Sequence, residues 1–209
     1  MYGLIMFAAG LMSVPLPNVT HAERLQRAYP REAIRAGKSA AALIRVVVNP
    51  SGEVERCETL EIYGDEDLGK HPCSVYGRWK FDRPVGADGQ PSFGVYETFV
   101  TYTLSEWLGE AERQADEIAR MVQRPDVTFT VQSLPEDVGS VMDLQLVAQV
   151  TMAGEVTHCE GVEEVSAAYT DVACGALKDA GWDVLRNEQG AAVPYVAALK
   201  VRFTTEAIG

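Results

Sequence analysis

The stretch GEVERCETLEIYGDEDLGKHPC, from Gly52 to Cys73, decides how the chain is read, because a shorter echo follows it. That echo is GEVTHCEGVEEVSAAYTDVAC, from Gly154 to Cys174. Placing Gly52 over Gly154 keeps the flanks in step. The apolar run Leu43–Val48 falls near Leu146–Val150, Glu53-Val54 over Glu155-Val156, and Cys57 over Cys159. Cys73 falls over Cys174 after a single deletion. Trp79 placed over Trp182 is the next landmark, and Gly89-Gln90-Pro91 has a looser counterpart in Gly190 to Pro194. Each half closes on a β-rich stretch, YETFVTYTL or AALKVRFTT. Several landmarks in one order read as an internal duplication.

The patterns between the landmarks predict the elements. Ala40 to Val48 and Val54 to Ile62 are strand-like, and the Asn-Pro-Ser-Gly turn between them suits a hairpin. From Asp65 to Tyr76 an acidic start leads into helical spacing, with Leu68, Val75 and Cys73 facing inward. Upstream, residues 21–37 give short helical pieces broken at Pro30 and stopped by Gly37. Between the halves, Ser105 to Gln123 reads as an amphipathic helix, with Ser105 as its N-cap and Pro125 ending it. The expected organisation is a signal-like segment (1–22), a first domain (23–104), a connecting helix (105–124) and a second domain (125–209).

Composition bounds the function. The chain has 209 residues, 47% hydrophobic and 23% charged, as an ordinary globular protein does. A formal net charge of −12 argues against nucleic acid, which needs clustered Lys and Arg, and against anionic lipid headgroups. The first twenty-two residues hold an apolar run, Tyr2 to Met12, then prolines and the ending Thr20-His21-Ala22. This suits a cleavable export signal, and the run is short and proline-broken for a membrane span, although no Lys or Arg precedes it.

The cysteines admit three chemistries. Zinc favours close pairs such as C-x-x-C, and none is present. His158 and Cys159 are adjacent on a strand, so they point to opposite faces and cannot share an ion. A Cys–His nucleophile needs a base beside the thiol, and only the first half has a His, His71, near its second cysteine, Cys73. A disulfide explains more: in each half one cysteine lies on the second strand and the other on the following helix. Four cysteines formally allow three connectivities, and the repetition favours Cys57–Cys73 and Cys159–Cys174. Such bridges place the protein in an oxidising compartment. No metal or cofactor is expected.

Residues Tyr29 to Leu104 resemble the C-terminal domain of TonB, the energy transducer of the Gram-negative envelope. The residues that carry the resemblance are Tyr29-Pro30 with Ala33, Gly37 before the first strand, and the turn at Gly52 with Val54. Arg78-Trp79-Lys80-Phe81 and the Gly89-Gln90-Pro91 turn complete it. A subset of TonB-like proteins carries one disulfide per domain. The second half is more degenerate, with no Tyr-Pro element. The resemblance implies an α+β fold of two such domains, each a three-stranded antiparallel sheet with helices packed on one face. It also implies β-augmentation, in which a partner's extended segment pairs with the last strand. Carried over by position, the pairing edge is Phe93 to Leu104, with Phe93, Val95, Tyr96, Glu97, Phe99, Thr101 and Tyr102 as partner-binding residues. Its counterpart is Pro194 to Thr204.

The implied partner is an extended peptide or envelope protein, such as an outer-membrane receptor, and the implied location is the periplasm. TonB proper also has an N-terminal membrane anchor and a long Pro-rich linker, and Pro30 follows the apolar segment here almost at once. A force-transducing TonB with a retained anchor is the alternative. Catalysis has the least support. The acidic residues from Glu53 to Asp67 form a run, which reads as a solvated face, and no phosphate loop, nucleophile elbow or His–Glu metal motif is present.

Overall fold

Asn49 begins the turn that organises the first half. Its side-chain Oδ1 accepts the N–H groups of Ser51 (2.9 Å) and Glu53 (3.1 Å), and Gly52 takes φ +82°. Thr151 does the same work in the second half, its Oγ1 accepting from Ala153 and Glu155 at 3.2 Å, with Gly154 at φ +81°. These turns join β1 (Ala40–Val48) to β2 (Val54–Gly64), and β5 (Val141–Val150) to β6 (Val156–Gly161). The computed structural model describes residues 12–17, 24, 27–104, 124–134, 139–162 and 167–205. The connecting helix expected over 105–124 lies outside them, except for Arg124.

A helix and a strand follow each hairpin. In the first half these are α2 (Glu66–Tyr76) and β3 (Phe93–Tyr102), preceded by the short α1 (Arg31–Arg35). In the second they are α3 (Ala167–Asp179) and β7 (Tyr195–Thr204), with β4 (Val127–Thr130) added before the hairpin. Asp65 caps α2, its carboxylate accepting the Leu68 N–H at 2.9 Å, while Glu66 and Asp67 suit the positive end of the helix dipole. Leu68, Gly69, Pro72 and Tyr76 form its buried face, and Gly69 allows contact with Ile62, because a Cβ there would come within 2.4 Å of that side chain.

The cysteine pairing is as the repetition predicts. Cys57–Cys73 and Cys159–Cys174 are bridged, with Cα separations of 5.3 and 5.6 Å. Each ties the second strand of a hairpin to the helix behind it. Removing either bridge by paired Cys→Ala substitution should cost about 3 kcal/mol in the chain-entropy model for loops of this length. Urea unfolding of each double variant checks this, and a cost under about 1 kcal/mol would show that the unfolded chain gains little freedom.

The two halves do not form separate three-stranded sheets, as the resemblance implied. They share one seven-stranded sheet, ordered β2-β1-β3-β7-β5-β6 with β4 also on β7. The seam is short: Phe93, Gly94 and Val95 pair in parallel with Tyr195, Val196 and Ala197. Helices α2 and α3 cover opposite faces of this sheet. Ala42, Ile44, Val46, Val100 and Tyr102 pack with Leu68 and Tyr76 of α2. Phe93 and Val95 face the other way and join the core that Ala197, Leu199 and Phe203 make with Leu177 of α3. A half-turn about an axis along the strands thus relates the halves, keeping β3 and β7 parallel while moving the helix to the far face.

That relation corrects one landmark. Phe81, whose N–H donates to the Gly52 carbonyl at 3.0 Å, has its counterpart in Trp182, whose N–H donates to the Gly154 carbonyl at 3.0 Å. Trp182 therefore stands where Phe81 stands and not where Trp79 does. Indole rings had suggested the match, but the backbone contact fixes it.

Part of the segment expected to be a signal lies against the first half. Ser13 exchanges two main-chain hydrogen bonds with Val85, both 3.0 Å, and Asp82 donates its N–H to Leu16 at 2.7 Å. Met12 is buried, and Pro15 packs against Gly94, where a Cβ would come within 2.6 Å of its ring.

Candidate functional site

β3 is the strand to which the resemblance assigns partner binding, and its two edges differ. One edge pairs with β1 along its whole length, from Ala40↔Tyr102 to Val48↔Gly94. The Leu104 N–H also points to that side, donating to Ser39 Oγ at 3.2 Å. Alternation then turns the N–H and C=O groups of Phe93, Val95, Glu97, Phe99 and Thr101 to the opposite edge. Phe93 and Val95 meet β7 there. Beyond Val95 the strands part, and no described strand pairs with Glu97, Phe99 or Thr101 on that side.

A wedge holds the fork open. Asp126 donates its N–H to the Lys200 carbonyl (2.8 Å) and accepts the Lys200 N–H on Oδ2 (2.6 Å). β4 then pairs in parallel with Val201–Thr204. With β5 on its other side, β7 lies inside the sheet. The expectation of a second pairing edge at Pro194 to Thr204 is therefore corrected: β3 takes Tyr195–Ala197, β4 takes Val201–Thr204, and Asp126 holds Lys200 between them. The Pro125-Asp126 step followed by the alternating Val-Thr-Phe-Thr was a signal for this wedge that the sequence reading passed over.

Between β3 and the wedge lies a cavity of about 560 Å³, lined by Arg45, Glu97, Phe99, Arg124, Asp126 and Lys200 among others. Its charges are mutually engaged. Arg45 Nε donates to Glu97 at 2.6 Å, and Arg124 reaches Glu61 at 3.2 Å. Burial lowers the Arg45 pKa, and the bond to Glu97 with the charges of Glu97, Asp183 and Glu58 more than offsets it, so the guanidinium stays charged. Asp126 is exposed as a residue, and its carboxylate is partly desolvated where Oδ2 accepts the Lys200 N–H. That desolvation raises its pKa above the ordinary carboxylate value, and the Lys200 N–H only partly counters it.

The remaining partner-binding candidates lie elsewhere. Tyr96 and Tyr102 project to the α2 face, away from the cavity. Tyr102 is buried against Tyr29, ring centroids 5.0 Å apart, and its hydroxyl is pushed up to about 12 by burial. Tyr96 packs edge-on to Phe81 at 5.5 Å. His71 is engaged structurally, its Nε2 within 2.9 Å of the Ala28 carbonyl. Among the described residues no group of three or more His, Cys, Asp or Glu could hold a metal ion, and no helix is long and apolar enough to cross a membrane.

What the described residues offer is a main-chain edge without a strand partner beside a polar cavity, which can recognise an extended chain. No curated protein and no solved structure matches the chain. One family model does: residues 26–104, from ahead of α1 through β3 and the two residues after it, match the Gram-negative bacterial TonB protein C-terminal.

Proposed function

We propose that the protein is an interaction module of the TonB C-terminal type on the periplasmic side of the envelope, binding extended segments of envelope proteins by strand addition. The observation that carries this is the run of main-chain groups on Glu97, Phe99 and Thr101 that have no strand partner among the described residues. They lie on the strand that closes the matched region and beside the cavity of about 560 Å³ at the fork. Backbone groups on such an edge supply affinity that depends little on sequence, and flanking pockets supply selectivity. The second half, with the same order of hairpin, helix and strand, is read as a degenerate second unit of the same type. Its last strand is closed, so the proposed site is in the first half alone. The two disulfides fit an oxidising compartment, as does the family. No catalytic role is proposed.

Proline tests the edge. Thr101→Pro removes an N–H that points away from β1, so the ladder to β1 keeps its bonds while the binding edge loses a donor. A photo-crosslinking side chain at Glu97 should capture envelope proteins in the parent chain, and Thr101→Pro should abolish that capture while Thr101→Ala leaves it unchanged. Equal capture by both variants would sink the strand-addition reading.

A further inference from the structure

The groove beside Trp182–Arg186 is the counterpart, under the half-turn that relates the halves, of the groove holding Met12–Pro17. In the first half, Val85 is bridged to Pro91 on one side and to Ser13 on the other. In the second, Arg186 is bridged to Ala192 as Val85 is to Pro91, and no described residue stands in the place of Ser13. The Arg186 N–H has no hydrogen-bond partner among the described residues, nor has the N–H of Asp183, the counterpart of Asp82. The Arg186 carbonyl receives only the Arg56 side chain, at a long 3.3 Å. A cavity of about 340 Å³ opens there, lined by Arg56, Asp183, Val184, Leu185 and Tyr195 among others.

We propose that this groove binds an extended peptide from another protein, paired antiparallel to Asp183–Arg186 as Ser13–Pro17 pairs with Phe81–Val85. The proposal goes beyond the β3 edge: the cavity shares Arg45, Glu97 and Asp126 with the one at the fork, but the pairing groups belong to Asp183–Arg186 and not to β3. Two differences between the grooves set the peptide's chemistry. Tyr195 stands where Gly94 stands, and its hydroxyl donates to the Asp183 carbonyl at 3.1 Å, so its ring takes the room that Pro15 has in the first half. The peptide residue at the Pro15 position must then be small. Asp183, with its side chain 94% exposed, has only a 3.9 Å contact to Arg45, while Arg45 and Arg56 are held closely by Glu97 and Glu58, each at 2.6 Å. The Arg186 guanidinium donates to the Gly190 carbonyl at 2.9 Å, so the loosely held Asp183 calls for Lys or Arg opposite it, at the position of Leu16. The fit is thus to a segment with a small residue followed by a basic one.

The probe is the synthetic octapeptide LMSVGKPN, labelled and titrated by fluorescence anisotropy against the full-length protein. Arg186→Ala keeps the N–H of residue 186 and should bind it as the parent does. Arg186→Pro removes that N–H, and since it donates to no group among the described residues, the variant should stay folded and lose about tenfold or more in affinity. Replacing the lysine of the probe by leucine, or its glycine by proline, should also weaken binding. Equal binding by Arg186→Pro and Arg186→Ala would overturn the proposal. So would loss of binding in Val85→Pro alone, which would mean that the probe displaces Met12–Pro17. A chain that self-associates until the probe is added would identify a second copy as occupant and overturn it as well.

Discussion

Gly52→Ala should cost about 2–5 kcal/mol of unfolding free energy, a loss toward the large end for a single substitution. Two costs combine. At φ +82° an L residue bears roughly 1–2 kcal/mol of backbone strain. A Cβ at this position would also lie 2.4 Å from the Phe81 carbonyl oxygen, and neither backbone can yield without opening the 3.0 Å bond from the Phe81 N–H to Gly52. An opened bond that leaves a buried group unsatisfied adds about 1–3 kcal/mol. Gly89 separates the terms: it has φ +73°, but nothing lies within 4 Å of an added Cβ. Gly89→Ala should show the backbone cost alone. Denaturant unfolding of the two variants side by side is the measurement, and equal losses would mean that the contact with Phe81 has no weight.

Phe203→Ala should cost a similar amount, about 3–5 kcal/mol, as truncation of a fully buried aromatic does. Its ring is 0% exposed and lies 5.3 Å from the rings of both Phe129 and Tyr169. It therefore joins an edge strand, β4, and a helix, α3, to the centre of the second core. The loss should be uneven across the molecule: amide exchange at Val127–Thr130 should accelerate more than exchange in β1 or β2. A loss below about 1.5 kcal/mol, or uniform exchange, would show that the core closes over the cavity.

Much of this fold was legible in local pattern. The turn residues Asn49 and Gly52, the acidic start at Asp65 and the paired cysteines each act within a few positions of sequence, and the hairpins, the α2 cap and both disulfides follow from them. The joining of the halves was not legible. Parallel pairing of Phe93–Val95 with Tyr195–Ala197 links residues far apart, and strand alternation looks the same whether an edge is free or occupied. The closed edge of β7 depends on Asp126, which sequence spacing does not connect with Lys200. Likewise, the apolar composition of Met12–Pro17 suits a leader and a strand cover equally well. Of the β3 residues carried over from the resemblance, alternation sorts Glu97, Phe99 and Thr101 to the open edge and Tyr96 and Tyr102 to the core.

The seam between β3 and β7 is three residue pairs long, far less contact than a stable association of free proteins normally uses. Loops reinforce it from both sides: the Gln149 side chain accepts the Ala87 N–H at 2.8 Å, and the Glu55 carboxylate accepts the Glu188 N–H at 2.5 Å. A half-turn axis along the strands is also the operation by which two identical single units would meet edge to edge. Held in one chain, such a meeting becomes intramolecular, with an effective concentration on the order of millimolar, and a seam too small to recruit a partner can persist as a permanent joint. Covalent continuity thus does for this sheet what a larger interface does in a dimer, and it frees each half to change its surface without losing the other.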